Sequence, residues 1–433
     1  MQLTIEKLIY GGDGLARLPA DSHGRGKAVF VPFVLEGEKV EATLVEERPG
    51  FVRARMENIL EPSPKRTAAP CPYFQRCGGC HYQHTGYDQQ LLIKASILKE
   101  NLRRIAKVEL EHELQVHPSP PLNYRNRARL KVQVAPKFTL GYYKFGSHEL
   151  LPVDRCPISS PLINRAITAL GQPDQEGKLP DGLREIEFFA SADDSELLIE
   201  LYFTPGIRRS DAIACAEHVQ RHVPHTTGVA AFEGKDTATA GAPALKKIAV
   251  AGVPELRYRL QDGSYRVSAG AFFQVNRHLA DALVRIALGG ASGALALDLY
   301  AGVGLFSTIL ARSFAQVIAV EASPTAHADL TYNAPANVTP VLAVTDQYLK
   351  NAANLPHPDF VLVDPPRNGL GKQVVRGLLA TRTPRITYVS CDPATLARDL
   401  VDLLGGGFRV EQAHLVDLFP QTYHLESVFQ LVR

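Results

Sequence analysis

Excess charge of either sign is missing from this chain. Its 47 lysines and arginines face 45 aspartates and glutamates, a net charge of +2 over 433 residues. Any nucleic-acid footprint must therefore be local. Long apolar runs are also missing: none approaches the ~18 residues of a membrane-spanning helix, and Met1–Glu6 offers no apolar leader core. A soluble, cytoplasmic monomer without a membrane partner is expected. Cysteine is scarce, six in all, which without a secretion signal excludes a disulfide scaffold. Low-complexity tracts and clear repeats are absent. What is present, 45% hydrophobic and 21% charged residues, suffices for about two to four cored domains.

Residues 1–60 carry short strand-like runs, Leu3–Ile5, Ala28–Pro32, Lys39–Val45 and Phe51–Ile59, between glycine turns such as Gly11–Gly12–Asp13–Gly14. Such a pattern predicts a small oligonucleotide-binding type of β-barrel, with or without a ligand. Pro62, Pro64 and Pro70 mark a boundary, and a loop over 61–88 carries Cys71, Cys77 and Cys80. Three thiols spaced C-x5-C-x2-C are metal-site spacing. An iron–sulfur cluster takes four thiolates, and Cys156 is the candidate fourth. Zinc with His81 or His84, or free thiols, are the alternatives. Residues 89–121 read as an amphipathic helix and a proline-stiffened linker.

A central α+β domain is expected over 122–263. It opens on Tyr124, Arg125, Arg127, Arg129 and Lys131, whose four cations share one face of a strand. No acid interrupts the row, which suggests phosphate contact; a solvated strand face is the alternative. Cys215, in a helix beside Ile213 and Ala214, reads as core.

From 264 to 433 strands alternate with helices, which predicts a seven-stranded, doubly wound Rossmann-like domain. Asp298–Leu–Tyr–Ala–Gly–Val–Gly304 follows one strand and Glu321 ends the next. Glycines let backbone approach a nucleoside cofactor, and the acid accepts from ribose hydroxyls. Asp364–Pro–Pro ends a fourth strand and, with a terminal strand pair, points to S-adenosylmethionine rather than to a dinucleotide. Tyr388–Val389–Ser390–Cys391–Asp392–Pro393 places a thiol at the carboxyl end of a strand, where ligands sit in open α/β sheets. Alone, Cys391 reads as a small buried hydrophobe.

Taken together these motifs, with Phe272–Phe–Gln–Val–Asn276 and His424–Leu–Glu426, resemble the RNA 5-methyluridine methyltransferases. The closest resemblance is to the ribosomal-RNA members that carry an N-terminal TRAM domain and a 4Fe-4S cluster. It implies S-adenosylmethionine contacts at Gln274, Tyr300, Glu321 and Asp364, and at Asp346 on a looser alignment. It implies Cys391 as nucleophile and Glu426 as proton acceptor. Ala301 stands where a Cys is frequent, and Leu305 where many members place an Asn against the cofactor. The substrate implied is RNA, 23S rRNA foremost and the T-loop uridine of tRNA second.

The residue types suit that chemistry. C5 of uracil is a poor nucleophile until a thiolate adds to C6, and a base must then remove the C5 proton. Phe272 and Phe273 are candidates to stack a flipped base, or else core aromatics. Glu426 alone would read as a surface acid. Three other readings stand beside this one. A 5-methylcytosine enzyme lacks its expected Cys beside Pro365–Pro366, an N-methyltransferase leaves Cys391 idle, and a non-catalytic RNA-binding protein needs only the barrel, the basic strand and a structural cluster.

Overall fold

Alternating apolar residues drive the first sixty residues into one curled sheet. The computed structural model describes residues 1–19, 26–172, 179–234, 245–354 and 356–433. Six strands wrap around Leu3, Val29, Val31, Val40 and Val52, in the order Gln2–Thr4, Lys39–Glu47, Phe51–Glu61, Ala28–Pro32, Asp13–Arg17, Lys7–Leu8. Asp13–Arg17 begins inside the stretch read as a turn.

The central domain is a seven-stranded sheet, with Arg127–Gln133 between Thr139–Tyr143 and Leu183–Ala190. Helices Pro161–Leu170 and Arg209–His222 pack on it, and Cys215 is buried in that core as expected.

The third domain is an eight-stranded sheet. Its order is Val338–Leu342, Phe314–Glu321, Gly293–Leu299, Phe360–Val363, Arg385–Ser390, Ser427–Val432, Arg409–Val416, Gln115–His117. The first five run parallel, and Ser427–Val432 is antiparallel to both its neighbours. Seven strands were expected; Gln115–His117, from the linker, is the eighth. The near-continuous burial of Leu362, Val363, Tyr388 and Val389 is what a sheet covered on both faces requires. Helices Ala280–Leu288 and Pro324–Asn333 cover one face. Tyr87–Asn101, Gly371–Ala380 and Pro393–Gly405 cover the other. The helix after the glycine turn is only Ser307–Leu310, because Phe314 already belongs to the next strand. Among the described residues no helix is long and apolar enough to cross a membrane.

Helix Tyr87–Asn101 is tied to the catalytic sheet by a buried ion pair. Lys94 Nζ donates to Asp417 at 2.6 Å, and neither side chain is exposed. Tyr87 Oη also donates to Asp417, at 2.9 Å. Removing one partner of such a pair leaves an uncompensated buried charge. Lys94→Met is therefore expected to cost about 3–5 kcal/mol in denaturant unfolding. A loss below about 1 kcal/mol would show that Asp417 is neutralised some other way.

Candidate active site

The carboxyl ends of the parallel strands meet at a cavity of about 650 Å³, within the usual range for ligand sites. Gln274, Tyr300, Glu321, Asp364, Cys391 and Glu426 all line it. Each follows a different strand or loop, so the topology brings together residues up to 152 positions apart, from 274 to 426. Asp346 does not line this cavity. It sits in Thr345–Tyr348, where its charge adds to burial in raising the Tyr300 phenol, but it faces a separate cleft.

The glycine-rich turn is built for close approach. Tyr300, Gly302 and Gly304 all have positive φ, at 64°, 57° and 93°. A side chain at Gly304 would bring its Cβ to 2.8 Å from Leu330 Cδ1. Glu321 is fixed by two backbone donors, Gly302 N at 2.8 Å and Ser323 N at 2.6 Å. Its carboxylate therefore faces the cavity in one orientation, ready to accept from a ribose diol. The donor set fits an adenosyl group.

Electrostatics in the cavity disfavour anions. Burial, then the Asp298 charge, pushes the Asp364 carboxyl up to about 7. Burial, then the charge of Glu321, pushes Asp298 up to about 7 as well, against the hydrogen bond from Ser307. Burial and Asp364 hold Glu426 well above the ordinary carboxylate range, and Arg367 opposes them. Burial, followed by Glu426 and Asp364, pushes the Cys391 thiol up to about 12, again against Arg367. Burial and the neighbouring guanidinium of Arg367 push His424 down to about 3, so it is neutral. Arg367 Nη2 lies 3.4 Å from His424 Nδ1. Arg367 has no role assigned from sequence, yet with Arg125 it lines this cavity beside Glu321, Asp364 and Glu426.

Phe272 is 64% exposed at the cavity mouth. Phe273 is 2% exposed and packs 4.4 Å from Tyr258 between ring centroids. Of the two readings offered for the pair, Phe273 fits the core aromatic, although it borders the same cavity, while Phe272 stays open to a base.

The basic row is corrected more deeply. Tyr124 is fully buried and donates its hydroxyl to the Pro420 carbonyl at 3.0 Å. Arg127 is buried between Glu187 and Glu200. Arg129 pairs with Glu187 and lies 4.2 Å over the Tyr202 ring, and Lys131 pairs with Glu185. The acids come from neighbouring strands: Glu187 stands opposite Arg129 and Glu185 opposite Lys131. Cross-strand pairing of opposite charges stabilises the sheet. Arg125 differs, since no carboxylate pairs with it among the described residues and it lines the catalytic cavity.

A second cavity, of about 480 Å³, is lined by Cys71, Cys77, Cys80 and Cys156 together. Burial pushes the Cys77 thiol up to about 11 and raises Cys71 and Cys80, and Cys156 adds to each shift. His84 lies 3.2 Å from the Val34 carbonyl, whereas His81 lines the cavity with the four cysteines. Among the described residues no three His, Cys, Asp or Glu side chains close around a single point as the ligands of one metal ion would.

Comparison with known proteins matches this arrangement. The model of the tRNA (Uracil-5-)-methyltransferase family matches residues 86–346 and 354–433, and that of the TRAM domain residues 1–56. An uncharacterized RNA methyltransferase of Aquifex aeolicus is 34% identical over 99% of this chain and 97% of its own. A 23S rRNA (uracil(1939)-C(5))-methyltransferase of Chromohalobacter salexigens is 33% identical over 100% of this chain and 89% of its own. The crystal structure of the Pyrococcus abyssi tRNA (uracil-54, C5)-methyltransferase with S-adenosyl-L-homocysteine superposes with a TM-score of 0.77. It is 26% identical, covering 100% of this chain and 99% of that one. A TRAM domain followed by a methyltransferase sheet whose strand ends converge on Cys391 and Glu426 thus assigns the chain to the tRNA (uracil-5-)-methyltransferase family of RNA methyltransferases.

Proposed function

We propose that the chain methylates C5 of a uridine in 23S rRNA through a temporary bond between Cys391 and C6. The observation that carries this reading is the single cavity shared by Cys391, Glu426 and four of the five expected cofactor residues. S-adenosylmethionine supplies an electrophilic methyl group when bound. Gln274, Tyr300, Glu321 and Asp364 hold it, Glu321 through the ribose.

Cys391 and Glu426 release their protons to solvent and Sγ bonds to C6, which places the electron pair of the C5–C6 double bond in an enolate. C5 becomes nucleophilic and would take the methyl group as the sulfonium S–CH3 bond breaks, the electron pair staying on sulfur to leave S-adenosyl-L-homocysteine. Glu426, ionised at this stage, accepts the C5 proton. The C5–C6 double bond re-forms and the Sγ–C6 bond breaks. Phe272 stacks the flipped base and Arg125 contacts RNA. A resting thiol pushed up to about 12 needs positive charge nearby. Arg367 supplies one, and the cofactor's sulfonium is a second.

The same balance sets a pH dependence. Asp364 ordinarily titrates near 3.8 and here at about 7. Between those values the folded chain holds a proton that the unfolded chain has released, so stability falls as pH rises through that window. A cationic cofactor prefers the ionised carboxylate. Its affinity is expected to rise about 5–10-fold from pH 6 to pH 8, with proton release in calorimetry near pH 7. Asp364→Asn should flatten that profile.

Cys71, Cys77, Cys80 and Cys156 are proposed to hold a 4Fe-4S cluster of structural role. Four cysteines lining one cavity supply the four thiolates that such a cluster takes. Anaerobically purified protein is expected to carry about four irons and to lose them in Cys156→Ser; stoichiometric zinc would contradict the cluster.

The substrate is tested by incubating the protein with S-adenosylmethionine and either 23S rRNA or tRNA transcripts, then mapping 5-methyluridine by mass spectrometry. The rRNA reading is supported by relatives 33% identical over their near-full length. The tRNA reading is supported by the Pyrococcus abyssi structure. Methylation of tRNA alone would select the second.

A further inference from the structure

The nucleophile's backbone is held from outside its own domain. Cys391 lies between the end of strand Arg385–Ser390 and helix Pro393–Gly405. Its neighbours are anchored within the catalytic domain. Ser427 Oγ donates to the Ser390 carbonyl at 3.3 Å, and Asp392 caps the helix by accepting from Ala394 N and Thr395 N. The Cys391 carbonyl takes its one hydrogen bond among the described residues from Tyr10 Oη, at 3.3 Å.

Tyr10 belongs to the N-terminal barrel, in the turn between Lys7–Leu8 and Asp13–Arg17. Its ring meets Tyr423 edge-on, 5.5 Å between centroids, and Tyr423 packs 4.2 Å from His424. Burial raises the Tyr10 phenol, so it remains a donor across the physiological range. One barrel residue thus touches both the loop of Cys391 and the segment leading to Glu426.

We infer that Tyr10 is a positioning residue that fixes the Cys391 peptide for attack on C6, so that the barrel takes part in the chemical step besides any grip on RNA. This rests on the covalent role proposed for Cys391. A thiol attacking a ring carbon must be held in a narrow range of positions, and small displacements are costly in rate. Losing the hydroxyl frees the Cys391–Asp392 peptide without creating a cavity, because Phe keeps the ring.

The test uses full-length Tyr10→Phe and Tyr10→Ala beside the wild type. Single-turnover adduct formation is followed on 23S rRNA carrying 5-fluorouridine, which cannot release its C5 substituent to a base. In Tyr10→Phe the adduct rate should fall about 5–20-fold, the scale of one lost hydrogen bond. Affinities for RNA and S-adenosylmethionine should stay within about twofold, and Tm should hold, as expected when only a positioning contact is lost. Alkylation of Cys391 by iodoacetamide, followed by peptide mass spectrometry, should move the other way and speed up about threefold or more as the loop loosens. Tyr10→Ala should exaggerate both changes. An unchanged adduct rate in Tyr10→Phe, or a rate that falls only in step with RNA affinity, overturns the inference. If the wild type forms no adduct, the covalent reading fails separately. The alkylation rate then decides alone: faster in Tyr10→Phe supports the tether, unchanged overturns it.

Discussion

Cys391→Ala is expected to abolish methyl transfer, by at least about 10⁴-fold, while S-adenosylmethionine binds within about twofold of wild type. The magnitude follows from the chemistry. Without a bond to C6, C5 of uracil has no electron pair to offer, and among the described residues no other group lining the cavity has a nucleophilic sulfur. Binding should survive because Glu321, fixed by Gly302 and Ser323, and the glycine turn are independent of the thiol. The fold should survive too, since Cys391 is only partly buried and its loop is anchored through Ser390 and Asp392. Radiolabel transfer and calorimetry check the two halves. Residual turnover within about 100-fold of wild type would mean that Cys391 is not the nucleophile.

Glu426→Gln is expected to stop the reaction one step later. The amide keeps the shape of the side chain but cannot take a proton, so the methylated adduct forms and does not resolve. A denaturation-resistant RNA–protein band should accumulate toward one equivalent in the presence of S-adenosylmethionine. Turnover should fall by about 10³-fold or more. Stability should move the opposite way. Glu426 is buried beside Asp364 and its carboxyl is held well above the ordinary range, so ionising it costs the folded state. A neutral amide removes that cost, and Glu426→Gln should raise Tm at pH 8 more than at pH 5. Turnover close to wild type, or an adduct no more abundant than in the wild type, would remove Glu426 from the proton-transfer step.

The convergence of the cavity-lining residues was legible because most of them sit at the end of a strand whose apolar run is visible. Once alternation fixes the doubly wound sheet, strand ends distant in sequence must converge. Tyr300, Glu321, Asp364 and Cys391 follow that rule, whereas Asp346, placed on a looser alignment, faces another cleft. The basic row was misread because a strand's charges are answered across the sheet. Glu185, Glu187 and Glu200 lie more than fifty positions from the arginines they neutralise. Gln115–His117 escaped as a strand because three mostly exposed residues carry no periodicity. Tyr10 gave no signal at all, since its partner lies 381 positions away and the contact is made by one hydroxyl.

The bond between sulfur and pyrimidine can be observed directly. Wild-type protein is incubated with S-adenosylmethionine and 23S rRNA carrying 5-fluorouridine at the target, then denatured, digested and mapped by mass spectrometry. One nucleotide-bearing peptide is expected, modified at Cys391 and carrying the added methyl group. An unmodified Cys391 under conditions where unsubstituted RNA is methylated, or a nucleotide attached to any other residue, would contradict covalent catalysis by this thiol.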